Sequence, residues 1–179
     1  MRESAHGDLQ LAFRFQPSVC GTADGEIMTL EELAHNLPNG LHDAELLGLN
    51  VDYVGRTISL IVEVWVGDID GPIETRETYR KARIDVSGLQ FLVIEPPDPT
   101  YPYSDVEASR IDICDMSKNL DVKLVRSLPD GTSLSSLWVN DWNAFAHIAA
   151  QDATLSWLDP KPTCRTRREH YLPGETANR

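Results

Sequence analysis

The sequence predicts a mainly β, α+β domain: a largely antiparallel meander or half-closed barrel with one N-terminal helix. Three observations predict it. Apolar residues alternate with period two through Leu47, Leu49, Val51 and Tyr53, then through Ile58, Leu60, Val62, Val64 and Val66. The glycine-containing link Val54-Gly55-Arg56 separates these runs, as a β-hairpin requires. The segment Thr29-Leu30-Glu31-Glu32 has the capping-box form of a helix start.

Taken in order, residues 1–26 form an N-terminal arm in which Leu9, Leu11, Phe13 and Phe15 alternate as one short strand. Thr29 and Glu32 then cap a helix from Leu30 to Asn36, which Pro38-Asn39-Gly40 ends. After the hairpin comes a wide polar turn, Gly67 to Pro72. Residues 77–95 alternate again through Tyr79, Ile84, Val86, Leu89, Phe91 and Val93, with Ser87-Gly88 reading as a bulge or turn. The prolines at 96, 97, 99 and 102 demand an exposed loop, because proline cannot donate to a ladder.

Three shorter strands are expected next, carried by Ile111 and Ile113, by Leu120, Val122 and Leu124, and by Leu137 and Val139. Leu128-Pro129-Asp130-Gly131 turns the chain between the last two. Residues 141–158 read two ways. Asp141 could cap a helix with Phe145, Ile148 and Ala149 on one face. Alternatively Ala144, Ala146, Ile148 and Ala150 alternate as a strand that Leu155 and Trp157 follow with another. The strand reading is preferred. The expected organisation is an arm (1–26), one β-rich domain (27–160) and a basic tail (161–179) that is loosely packed.

Net charge is −12 over 179 residues, yet residues 161–179 carry +3, leaving −15 on residues 1–160. An acidic body repels phosphate backbones and anionic lipid, which excludes nucleic acid and membrane surfaces as partners of the body. A basic protein partner, or a cation, is the permitted class. Three widely spaced cysteines, Cys20, Cys114 and Cys164, show no C-x-x-C and suit a reducing cytoplasm. The N-terminus lacks the apolar stretch of a signal peptide, and no run reaches the length of a membrane span.

The common nucleotide-binding, zinc-protease and serine-hydrolase motifs are absent from the sequence. No cofactor, metal or catalytic residue is assigned. Asp68-Ile69-Asp70-Gly71 with Glu77 has part of a calcium-loop spacing, but Val66 stands where the first ligand belongs.

The candidate binding residues are His42, Asp43, Glu45, Trp138, Asp141 and Trp142. In a strand His42 and Ala44 share one face, and Asp43 and Glu45 the other. Only if the strand begins after Asp43 does the imidazole sit beside a carboxylate, where it could act as base or ligand. Tryptophan is enriched at binding hot spots and is also good core material. One of Trp138 and Trp142, and Trp157, are expected in the core. Arg165, Arg167 and Arg168 are expected in a solvated tail.

The segment Leu41-His42-Asp43-Ala44-Glu45-Leu46-Leu47-Gly48-Leu49-Asn50-Val51-Asp52-Tyr53, with the later Trp138-Val139-Asn140-Asp141-Trp142-Asn143-Ala144-Phe145 stretch, resembles a loose set of uncharacterised bacterial β-rich domains. Some of these are grouped with immunity proteins of bacterial toxin systems. The resemblance spans residues 37–95 and 134–158 and carries no catalytic residues with it. It implies a non-catalytic protein-binding module, with an immunity-type inhibitor of a basic toxin as its specific form. Two alternatives stay open: a small-ligand or metal-dependent enzyme centred on His42 and Asp43, and a structural domain that self-associates through exposed edge strands.

Overall fold

The computed structural model describes residues 28–101, 109–114 and 120–164. The expected arm strand at Leu9–Phe15, Cys20 and the arginines at 165, 167 and 168 lie outside them. Helix α1 (Leu30–His35) has the predicted capping box. The Thr29 hydroxyl accepts from the Glu32 amide at 3.1 Å, and the Glu32 carboxylate accepts from the Thr29 amide at 2.8 Å. Its buried residues, Leu30, Leu33 and Ala34, follow the spacing that puts one helix face into a core.

Strands β1 (Ala44–Asp52) and β2 (Thr57–Trp65) form the predicted hairpin. The Asp52 carboxylate turns the chain by accepting from the amides of Val54 and Gly55, each at 2.9 Å. One part of the expected pattern is corrected. The register slips between Leu46 and Gly48, so Leu47 falls in a bulge and Leu46 rather than Leu47 stands opposite Val62. Tyr53 lies beyond the strand and is exposed.

The polar turn after β2 leads into a one-turn helix, α2 (Ile73–Arg76). Asp68 accepts from the Asp70 amide at 3.0 Å, which makes the start of the calcium-like segment an Asx turn. Strand β3 (Thr78–Ser87) pairs with β2 along its whole length, and β4 (Phe91–Ile94) follows.

Beyond β5 (Ser109–Cys114) the strand expected at Leu120–Leu124 is instead a short helix, α3 (Val122–Arg126). Asp121 decides this by accepting from the Lys123 amide at 2.9 Å, an N-cap bond that alternation alone does not reveal. Strand β6 (Ser133–Val139) and a 3-10 turn (Asn140–Trp142) precede β7 (Ala144–Ala150) and β8 (Asp152–Trp157), so the strand reading of 141–158 holds. The stretch expected to be a loose tail contributes β9 (Thr163–Cys164), which pairs with Thr78 and Tyr79.

All ladders are antiparallel, in the order β4-β7-β6-β5-β1-β2-β3-β8. The two ends of this order are parts of one bent pair of strands. β3 runs into β4 through residues 88–90, and β7 runs into β8 through residue 151. Ser87 pairs with Asp152 and Phe91 with Ala149, so three residues on one strand face two on the other. That one-residue bulge bends the ladder without breaking it. The Gln90 amide still donates to the Ala149 carbonyl at 2.8 Å, and the Gln151 amide to Ser87 at 3.1 Å.

The result is two four-stranded layers, β1-β2-β3-β8 and β5-β6-β7-β4, joined at two corners. One corner is this bend. The other is the β1–β5 seam, where Ala44 pairs with Ile111, Glu45 with Arg110 and Leu46 with Ser109. The inward faces form one core from both layers and α1, including Leu33, Ile58, Leu60, Val62, Ile84, Val86, Ile111, Leu137 and Ile148. Trp157 packs against that core with the Arg80 guanidinium 4.4 Å from its ring centre. No helix among the described residues is long and apolar enough to cross a membrane.

Candidate functional site

Strand β1 starts at Ala44, immediately after Asp43, so the condition for placing the imidazole beside a carboxylate is met. Asp43 has φ +53, a left-handed turn that aspartate tolerates better than most residues. It sets His42 against two carboxylates. The His42 Nδ1 lies 3.0 Å from Asp112 Oδ2, and its Nε2 lies 3.6 Å from Asp43 Oδ2. The His42 side chain is 59% exposed, and both carboxylates are also substantially exposed. The hydrogen bond to Asp112 holds the imidazole pKa above its ordinary value. Desolvation opposes this, and the Asp43 charge adds to it.

The other candidates gather around the same rim. On β5, Arg110 stands opposite Glu45 and Asp112 opposite Trp138. The Asp141 carboxylate accepts from the Arg110 backbone amide at 3.0 Å, tying the 3-10 turn to β5. Trp138 is half-buried with its ring centroid 4.7 Å from that of Phe145, while Trp142 is 38% exposed. The expectation that one of these two tryptophans lies in the core is corrected: Trp138 stands opposite Asp112 on the outer face, away from the inward Leu137 and Val139, and neither tryptophan joins the core.

The loop after β4 lies along this turn. The Asp98 amide donates to the Trp142 carbonyl at 3.0 Å, and the Asn143 amide side chain donates to Asp98 at 2.9 Å. Ile94 at the end of β4 and Tyr101 on this loop are also exposed. The six residues predicted from the sequence thus occupy one end of the molecule, grouped around β5.

Three contributors were not singled out by the sequence. Asp112 sits between Ile111 and Ile113, so alternation puts it on the outer face, but nothing in the sequence shows that β5 lies beside β1. Tyr79 belongs to the same outer face, opposite Trp65. Its hydroxyl pKa is pushed up to about 12, first by burial and then by the charges of Glu77, Asp43 and Glu45. Arg110 matters chiefly through its backbone amide.

A second histidine sits elsewhere. His147 on β7 is fully buried, with its Nδ1 2.8 Å from the Ser136 hydroxyl and its Nε2 3.4 Å from Glu95. A carboxylate accepts, so Nε2 donates to Glu95, while Nδ1 shares a hydrogen bond with the Ser136 hydroxyl, which can either donate or accept. Phe145 stacks on the ring at 5.8 Å. The order hydroxyl, imidazole, carboxylate is that of a nucleophilic relay. Ser136, however, is buried in mid-strand with ladders on both sides, where no substrate carbonyl can meet it.

These features define a mainly β, two-layer α+β domain with an acidic and aromatic rim. Compared with known proteins, the chain matches no family model, no curated protein and no solved structure.

Proposed function

We propose that the chain is a non-catalytic module that binds a basic protein partner through this rim, in the manner of an immunity-type inhibitor. One observation carries the reading: Asp43 and Asp112 flank His42, Glu45 stands opposite Arg110, and Asp141 holds the Arg110 amide one residue from the exposed Trp142. Carboxylates steer a cationic partner and fix its register, and exposed aromatics supply the anchors that carry affinity. The −15 on residues 1–160 extends the same attraction over the body.

The enzyme alternative has its two side chains in contact, but an imidazole held toward its charged form by two carboxylates spends less of its time as the free base that can take up a proton or ligate a cation. Self-association through the β8 edge is less favoured, because the Met28 carbonyl accepts from the Ala153 amide there.

The test is partner capture from lysate of the source cells at low and moderate salt, with Trp142→Ala and Glu45→Lys proteins in parallel. A stoichiometric basic partner, lost as salt rises and bound about 10-fold or more weakly by each variant, is expected. A partner retained equally by both variants, or one insensitive to salt, overturns the proposal.

A further inference from the structure

Strand β9 delivers the chain to the acidic end of the outer face. Thr163 pairs with Tyr79 and Cys164 with Thr78 in antiparallel register, so the chain leaves Cys164 heading toward the residues that precede β3. The Cys164 thiol donates to the Glu74 carbonyl, which fixes this exit beside α2. The next four residues, Arg165-Thr166-Arg167-Arg168, lie beyond the described ones and carry three positive charges with no acidic residue among them.

The surface next to that exit has a surplus of carboxylates. Across the outer face one row runs Lys81, Glu63, Glu45 and Arg110, each opposite the next on β3, β2, β1 and β5. Glu45 and Glu63 thus stand directly opposite each other, a like-charge pairing that favours a cation laid over it. Tyr79, the partner of Thr163, is also opposite Trp65, and the charges of Glu77, Asp43 and Glu45 all bear on its hydroxyl. With Asp112 beside His42, the carboxylates at this end outnumber the permanent cations of the row, Lys81 and Arg110, by five to two.

We propose that the chain's own segment Arg165–Arg168 docks on this surplus and lays its arginines over Glu63, Glu45 and Asp43. The charges match, three against three. The reach matches as well. From β9 to β1 is three strand spacings, about 14 Å, and four extended residues span about 13 Å before any side-chain length is added. The planar guanidinium fork can hold two carboxylates at once, which suits the opposed glutamates better than an ammonium would. A basic partner that used the same carboxylates would have to displace the segment. That consequence rests on the binding function proposed above, whereas the following tests need no partner.

Trypsin digestion of the intact chain reads the docking directly, because the enzyme cuts after arginine. Each rate is compared with that of a free peptide of residues 161–179 in the same buffer. Cleavage after Arg168, four residues beyond the β9 ladder, should be about ten-fold or more slower in the protein at low salt, the scale of several exposed ion pairs acting together. The protection should vanish near 1 M salt, where the screening length is about 3 Å. It should also vanish when Glu45→Gln and Glu63→Gln are combined, and it should not change on dilution. Carbodiimide treatment of the Arg168→Lys chain should form an amide between residue 168 and Asp43, Glu45, Glu63 or Glu77, and it carries the test if the double variant does not fold. A peptide-like rate at low salt, protection that survives salt or the double variant, or crosslinks to none of these four carboxylates overturns the proposal. Protection that fades on dilution overturns it too, by placing the segment on a second copy of the chain.

Discussion

Each corner of the molecule has a histidine that touches a carboxylate, and the two pairs behave differently because of where they sit. His147 lies on the strand that runs into the bend. It is fully buried, stacked by Phe145 and satisfied on both nitrogens by Ser136 and Glu95. His42 lies at the seam, more than half exposed, between Asp43 and Asp112. A buried polar group must keep its partners, since an orphaned one costs far more than a typical net hydrogen bond contributes. An exposed pair is screened by water and contributes little, but its strength can be changed by pH without unfolding anything. The same pairing therefore serves permanence at one corner and adjustment at the other.

The largest test of this contrast is His147→Ala. It removes a stacked ring from a packed site and leaves Ser136 without its partner. A loss of about 2–4 kcal/mol in unfolding free energy is expected by urea titration. A loss below about 1 kcal/mol would mean that the buried pair is no anchor and that the contrast between corners is wrong.

Gly88→Ala addresses the bend itself. Positive φ disfavours any Cβ, and this one would also displace Gln151. The expected loss is about 1–3 kcal/mol by the same titration. Ser135→Ala then separates burial from partnership. Ser135 and Ser136 are adjacent and both buried, yet the Ser135 hydroxyl on the inner face has no hydrogen-bond partner among the described residues, whereas Ser136 has His147. Removing Ser135 Oγ should leave stability unchanged or raise it by up to about 1 kcal/mol, while Ser136→Ala should lower it. Equal losses at both positions would show that the neighbouring imidazole contributes nothing to holding Ser136.

What the sequence made legible follows from the range of each interaction. The capping box at Thr29 and Glu32, the hairpin and the Gly88 irregularity are local, and all were readable. The helix at α3 was missed because a single Asp121 cap bond outweighed a three-point alternation. The rim residues were readable one by one, since histidine, aspartate and tryptophan at strand ends announce themselves. Their convergence was not, because it depends on β5 lying between β1 and β6, and the β1–β5 pairing, across 63 to 67 residues, leaves no local mark. Asp112 shows this best: its neighbours gave its face, and only the topology gave it His42. His147 was hidden for a related reason. Its alternation with Ala146 and Ile148 assigned it to the outer face, and on β7 that face is also buried.

The smallest effect is the most diagnostic, because its sign depends on pH. The pKa of His42 in the folded chain is raised above the ordinary 6.5, chiefly by the Asp112 hydrogen bond. A group whose pKa rises on folding binds its proton more tightly in the folded state. Its stabilisation is therefore complete below about the unfolded pKa and disappears as pH climbs through the folded one. With the side chain so exposed, the contribution is expected to be a few tenths of a kcal/mol up to about 1 kcal/mol. His42→Gln should thus be less stable than the parent at pH 5.5, and the difference should shrink toward zero by pH 8. Salt near 1 M should shrink it at low pH too, since the attraction is between exposed charges. If the difference instead grew with pH, the neutral imidazole would be the bonded form, and Asp112 would be positioning it as an acceptor rather than pairing with its charge.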